Sequence, residues 1–187
     1  MNTIDALLTR VSNPYLAEPF PSKKKMDVVY QSAFRAPDHA WLRPWRFIEI
    51  TGDGRLKLAK AFVKSASKNE KLSKEMSLKI SAMPYRAPMI IVIAVEIIHR
   101  LNVPAIEQVQ STAAATQNML LALHDMGFAG FWRTGKFVSH SNPYIAEELS
   151  LSKKTKVLGY IYIGKANAKG KEIPKLQNND FVSYWNK

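Results

Sequence analysis

The sequence predicts an α+β fold or α/β sandwich, with helices and strands mixed around one central sheet. Three observations predict it. Helical and strand-like periodicities alternate along the chain. The run Met89 to Val95 is continuously apolar and rich in β-branched residues, as in a strand covered on both faces. The chain has 187 residues, so at roughly 100–200 residues per domain it is expected to form one domain over 1–187.

The first helix is read over Asn2 to Arg10, where Ile4, Leu7 and Leu8 share a face and Pro14 disfavours continuation. Ser22 caps a second helix whose apolar stripe is Met26, Val29, Tyr30, Ala33 and Phe34. Lys23, Lys24 and Lys25 stand in its first turn, where the helix dipole disfavours cations, and this mismatch favours a nearby anion. A loop rich in proline and tryptophan, Ala36 to Trp45, leads into a strand over Arg46 to Thr51. Gly52-Asp53-Gly54 is a turn, followed by two lysine-rich helices near 54–66 and 70–83. After the central strand, Ala105 to Met126 is the longest helix, and its middle carries no formal charge on any side. Such a helix must be buried all round, which in a short chain points to a dimer interface through its small residues. Gly127 is its C-terminal cap. Phe128 to Trp132 reads as a strand, 143–149 as a helix capped by Ser141 or Asn142, and Val157 to Ile163 as a strand. The tail bearing Phe181, Tyr184 and Trp185 must dock somewhere, and a partner subunit is one candidate.

Composition narrows the function. Hydrophobic residues at 47% and charged residues at 22% exclude a disordered chain. The absence of cysteine excludes disulfides, thiolate metal sites and a cysteine nucleophile. A net charge of +12 favours anionic partners. No leader or membrane span is evident, so a cytoplasmic location is expected. No Gly-x-Gly-x-x-Gly follows a strand, and there is no P-loop, His-Glu-x-x-His or Gly-x-Ser-x-Gly. The four histidines lack metal-ligand spacing, so no metal site is expected.

Three pieces are left to carry chemistry. Arg10-Val11-Ser12 ends the first helix, and its guanidinium and hydroxyl suit a phosphate, although a plain surface arginine there would surprise no one. Arg35 and His39 pair a cation with an imidazole across a rigid loop, while Trp41 and Trp45 could simply plug the core. Gly130 to Gly135 combines close backbone approach with a flat indole and donors from Arg133 and Thr134; the plainer reading is a strand end with a turn.

In this order the pieces resemble the FMN-dependent nitroreductase family, and most closely its small bacterial NAD(P)H nitroreductase subgroup. The matching stretches are Arg10-Val11-Ser12, Arg35 to His39 with Pro44 to Phe47, Arg86-Ala87-Pro88, Gly127 to Gly135, and Gly159 to Gly164. They span roughly residues 4 to 185. The resemblance implies a mostly antiparallel sheet flanked by helices and an intertwined homodimer with FMN at the subunit interface. Arg10, Val11 and Ser12 would then hold the FMN phosphate and ribityl chain. Arg35 and His39 would reach FMN from the partner subunit, and Trp132, Arg133 and Thr134 would line it. Ala122, Leu123, His124, Asp125, Met126 and Gly127 match a stretch linked to NAD(P).

Val11 stands where the subgroup has a second arginine, and the resemblance implies that bulky Trp41 would narrow the substrate cleft. The implied activity passes hydride from NAD(P)H through FMN to a small electron-poor acceptor, a nitroaromatic or quinone, in a ping-pong cycle. No catalytic side chain is then required, because flavin N5 carries the chemistry. A flavin store or sensor is the nearest alternative. A basic nucleic-acid-binding module is a more distant one, since no basic-aromatic interleaving appears; neither nucleic acid nor membrane is an expected partner.

Overall fold

From Met89 to Val95 no residue is more than 1% exposed, so the central strand is covered on both faces as its unbroken apolar pattern requires. A computed structural model describes residues 1–99, 102–168, 170 and 172–186. This strand, β3 (Met89–Glu96), lies between β2 (Trp45–Thr51) and β5 (Thr155–Ala166), and all its pairings are antiparallel. The far edge of β5 takes β4 (Ala129–Arg133) along Tyr160 to Gly164 and then β1 (Leu16–Ala17) at Lys165 and Ala166.

Alternation along β3 divides the core in two. Met89, Ile91 and Ile93 face α2 (Lys23–Ala33) and α5 (Ala105–Asp125), packing with Val29, Met119 and Leu123. Ile90 and Val92 face the other layer, with Leu58 and Phe62 of α3 (Gly54–Ser67), Ile80 of α4 (Lys74–Ser81) and Ile145 of α6 (Ile145–Glu148). The result is the expected α/β sandwich with an antiparallel sheet. Phe62 anchors the second layer. It stacks on Phe137 at 4.3 Å and meets Tyr160 edge-on at 5.2 Å; its truncation to alanine would cost about 3–5 kcal/mol.

The seven-residue α1 (Thr3–Thr9) forms where apolar spacing placed it, with Asn2 capping it by accepting from the Asp5 N–H at 2.9 Å. Three boundaries differ from expectation. The second lysine-rich helix starts at Lys74, because Ser73 caps it by accepting from the Met76 N–H at 3.1 Å. Helix α6 is shorter than 143–149, because Asn142 Oδ1 accepts from the Tyr144 N–H at 3.1 Å and closes a turn first. β1 was not expected, because two residues show no periodicity.

Helix α5 is not buried all round in one chain. Gln108, Ser111, Thr112, Ala115, Thr116, Met119, Leu120 and Leu123 form a buried stripe. Ala113, Ala114, Gln117, Asn118, Leu121 and Ala122 are only half covered. The threonine hydroxyls inside the stripe donate back to carbonyls one turn earlier, Thr112 to Gln108 at 3.0 Å and Thr116 to Thr112 at 2.8 Å. The uncharged middle of the helix therefore retains a smooth, half-covered face.

Candidate functional site

At the C-terminal end of α5, a pocket of about 360 Å³ opens between that helix, the end of α1 and the segment following β5. Its walls include Arg10, Val11, Asn13, His124, Gly127 and Phe128. Arg10 is the residue on which α1 ends, its N–H donating to the Ala6 carbonyl at 3.2 Å. Its side chain turns inward, and Nη1 is buried with no hydrogen-bond partner among the described residues. A buried guanidinium nitrogen with no acceptor is costly, so this geometry calls for an anion.

Two distant segments are stitched together around it. Asn13 is buried; its Nδ2 donates to the Ala168 carbonyl at 2.7 Å, and its Oδ1 accepts from the Tyr15 N–H at 2.9 Å. The backbone at Gly170 then passes so near Val11 that a Cβ there would lie 2.7 Å from Val11 Cγ2.

More positive charge converges on the same place. Lys165 Nζ donates to the Gly127 carbonyl at 2.5 Å and stands 4.3 Å from the Phe128 ring centroid. Lys25 Nζ approaches the same ring at 4.9 Å. The lysines opening α2 at an unfavourable dipole position are thus explained in part by the pocket that Lys25 flanks. Asn13, Phe128 and Lys165 escaped the sequence reading. Asn13 and Lys165 belong to no periodic pattern, and Phe128 read simply as the start of a strand.

The stretch expected to meet NAD(P) is engaged elsewhere in the chain. Leu123 is wholly buried in the core. His124 Nε2 lies 2.9 Å from Thr9 Oγ1, and Asp125 Oδ1 lies 3.0 Å from the N-terminal ammonium, so both residues dock α1 onto α5. Ala122 and Met126 are half-buried, and Gly127 carries the turn at φ +73°.

The consecutive residues of β4 do not share a face. Trp132 packs on the α2/α5 side of the sheet. The Arg133 guanidinium stands 5.6 Å over Tyr162, which belongs to the opposite layer. Burial pushes the Tyr162 phenol up, against the pull of Arg133 and Arg86. The Trp132 indole lies against β5 at Gly159, where any Cβ would strike the indole and approach the Arg133 carbonyl to 2.8 Å. Trp132 Nε1 is buried against β5 and has no hydrogen-bond partner among the described residues. Ser12 and Thr134 are exposed.

Arg35 and His39 lie elsewhere. Arg35 is exposed beside Phe34 and Pro37. His39 Nδ1 meets Glu107 Oε2 at 2.5 Å, in the first turn of α5. From Glu107 to His124 that helix rises about 25 Å. One flavin cannot touch both ends within a single chain. Among the described residues no cluster of three or more His, Asp or Glu is placed to hold a metal ion. No described helix is long and apolar enough to cross a membrane.

A second concavity, of about 650 Å³, runs along β2, the outer strand of the sheet. It is lined by Tyr30, Phe34, Trp45, Phe47 and two arginines, Arg43 and Arg46. Its aromatic rings stack in series at 6.3–6.4 Å. Tyr30 donates to Glu49 at 2.6 Å, and burial together with that carboxylate pushes its phenol up.

Residues 10–165 match the sequence model of the Nitroreductase family, to which the chain belongs. A Haemophilus influenzae protein named "Putative NAD(P)H nitroreductase" is 31% identical over 186 residues, covering 98% of this chain and all of the relative. The crystal structure of a nitroreductase-like family protein from Bacillus cereus superposes with a TM-score of 0.85 at 20% identity, covering 100% of this chain and 97% of the other. A variant of the FMN and NADPH-dependent nitroreductase NfnB from Sphigopyxis sp. strain HMH superposes with a TM-score of 0.77 at 14% identity, covering both chains fully.

Proposed function

We propose that the chain is an FMN-dependent oxidoreductase that passes hydride from NAD(P)H to a small electron-poor acceptor, a nitroaromatic or quinone. The observation that carries this is Arg10: a buried guanidinium nitrogen without a partner among the described residues, facing a pocket flanked by Lys25 and Lys165. A flavin phosphate supplies the acceptors this nitrogen lacks, in the charge-assisted form that is strongest. The residues present fit FMN in its other parts too. Phe128 and Trp132 offer flat apolar surface. The half-buried Val11 and the exposed Ser12 extend the cradle through their backbone and hydroxyl.

FMN, when bound, supplies the hydride chemistry at N5. The chain then binds, orients and shields. Arg10 fixes the phosphate end. Trp132 and the main chain through Arg133 and Thr134 border the ring, the latter just past the last ladder pair, Arg133 with Tyr160. Arg133 contributes positive field from the far side of the strand rather than direct contact. The dinucleotide meets the site transiently, near the surface left by Ala122, Met126 and Gly127; Leu123 supports it from the core, and His124 and Asp125 hold α1 beside it.

The same reading requires two chains. Arg35 and His39 reach a flavin only from a second copy, because about 25 Å of helix separates their end of α5 from the pocket. The half-covered face of α5 suits a two-fold contact that brings opposite ends together. The exposed tail residues Phe181, Tyr184 and Trp185, and the aromatic groove along β2, are complementary in character and give such a dimer further apolar area.

The test is turnover. The purified chain loaded with FMN is mixed anaerobically with NADPH and a nitrofuran. Stoichiometric NADPH oxidation and nitrofuran loss are expected. Bound FMN with no turnover would leave a flavin-binding protein and remove the enzyme.

A further inference from the structure

Between α2 and β2 the chain makes a costly turn. Ala40, Trp41 and Arg43 adopt φ values of 55°, 51° and 51°, in the left-handed region that β-carbon sterics disfavour. Burial of the tryptophan does not offset this, because Trp41 is 77% exposed. The segment is held instead by Leu42, which is 4% exposed, and by two carboxylates. Asp38 Oδ2 accepts from the Arg43 N–H at 2.6 Å and closes the loop on itself. Glu107 Oε2 takes His39 Nδ1 at 2.5 Å and ties the loop to α5 across 68 residues of sequence.

Glu107 lies in the first turn of α5, next to Gln108, which anchors that turn by bonding to the Ile98 N–H at 2.9 Å and the Ile98 carbonyl at 3.0 Å. A carboxylate only accepts, so the ring nitrogen facing it must carry the hydrogen. That fixes both the plane of the imidazole and which nitrogen is left over. The His39 side chain is 61% exposed, and Nε2 is the ring nitrogen that Glu107 does not engage. A histidine oriented by a carboxylate in this way has one defined outward valence instead of two interchangeable ones.

We infer that Glu107 is a positioning residue of the flavin site: by holding His39 through Nδ1, it presents Nε2 and the strained 38–43 segment to the partner subunit's flavin. This rests on the proposed function, because only in that dimer does His39 meet a flavin. Glu107 itself touches neither flavin nor substrate. Its effect passes through one imidazole and one loop.

The experiment compares wild type, Glu107→Ala and Glu107→Gln in the FMN-loaded dimer. Long-range proton–nitrogen NMR of the imidazoles, with the His39 signal assigned by its loss in His39→Asn, reads the tautomer. The wild type should show hydrogen on Nδ1. Glu107→Ala should give the averaged pattern of a free imidazole, and Glu107→Gln, which keeps an acceptor oxygen, should preserve the wild-type pattern. Flavin should remain bound in all three. Glu107→Ala should lose roughly tenfold in kcat/KM and Glu107→Gln should recover most of it, as for other orienting partners of functional histidines. A bound-flavin Glu107→Ala protein with wild-type tautomer and kinetics overturns the assignment alone. A chain that takes up no FMN overturns the flavin reading, and the assignment with it. Should Glu107→Ala fail to fold, a free-imidazole pattern in wild type, or a Glu107→Gln variant as impaired as His39→Asn, overturns it independently.

Discussion

Lys165 stands over Phe128, its Nζ 4.3 Å from the ring centroid, while the same ammonium donates to the carbonyl of Gly127. One residue near the end of β5 thereby meets the turn that terminates α5, beside the pocket holding the Arg10 nitrogen that lacks a partner among the described residues. If this charge serves a phosphate, Lys165→Met should weaken FMN binding roughly tenfold, the value of one charge-assisted contact. The salt dependence of binding should also become shallower. Fluorescence titration with FMN at two ionic strengths measures both. Unchanged affinity would assign Lys165 to capping α5 alone.

Gly159→Ala tests the seat of Trp132. The added Cβ meets the indole and the Arg133 carbonyl, and backbone cannot step aside cheaply. The expected loss is about 1–3 kcal/mol. For a chain of this size that lowers the melting temperature by about 2–4 °C per kcal/mol. Flavin affinity should fall with it, because Trp132 borders the proposed ring site. Thermal denaturation with and without FMN reads the two effects separately.

Trp41→Gly should behave in the opposite way. Removing a buried tryptophan ordinarily costs about 3–5 kcal/mol or more. Trp41 is exposed and held at φ +51°, which glycine adopts freely. The variant should keep or raise its melting temperature while accepting bulkier acceptors, seen as a changed ratio of kcat/KM between a large and a small nitroaromatic. A marked drop in stability would show that the indole packs against something in the assembled protein.

The α3–α6 contact predicts a pH dependence. Glu148, with 7% of its side chain exposed, lies 2.9 Å from Lys64 Nζ and 3.0 Å from Lys68 Nζ. Burial alone would raise its carboxyl, but the hydrogen bonds and charges of the two lysines outweigh that and hold it below the usual range. A depressed folded value stabilises the protein above the unfolded value of about 4.3, and that contribution disappears as pH falls through the folded value. Lys68 has the converse sign. Its hydrogen bonds to Glu147 and Glu148 raise it, so its contribution is complete below about pH 10 and is lost as pH rises through the folded value. Glu148→Gln should therefore flatten the acid limb of stability against pH, measured by urea denaturation below about pH 4.5.

Much of this was legible in the residues, for physical reasons. The apolar run of β3 and the stripe on α2 are periodic signals that burial enforces, and both stand where the pattern put them. Arg10 was not distinctive by itself, since a cation at a helix C-terminus is ordinary; only its order with the later motifs singled it out. Long-range partnerships were not legible. Nothing local pairs His39 with Glu107, or Asn13 with the Ala168 carbonyl. The two-residue β1 has no period to detect, and its existence depends on β5 running on to Ala166. The alternation of β4 was readable in principle: it sends Trp132 and Arg133 to opposite faces, against the expectation that both side chains line one cofactor.

The most direct measurement is sedimentation velocity of the chain mixed with FMN, followed in the flavin absorption band and repeated with Arg10→Ala. The account predicts flavin co-sedimenting with a species of twice the chain mass, one flavin per chain, and loss of that co-sedimentation in the variant. Flavin left unbound above a colourless monomer, or bound equally well without the Arg10 guanidinium, would contradict it.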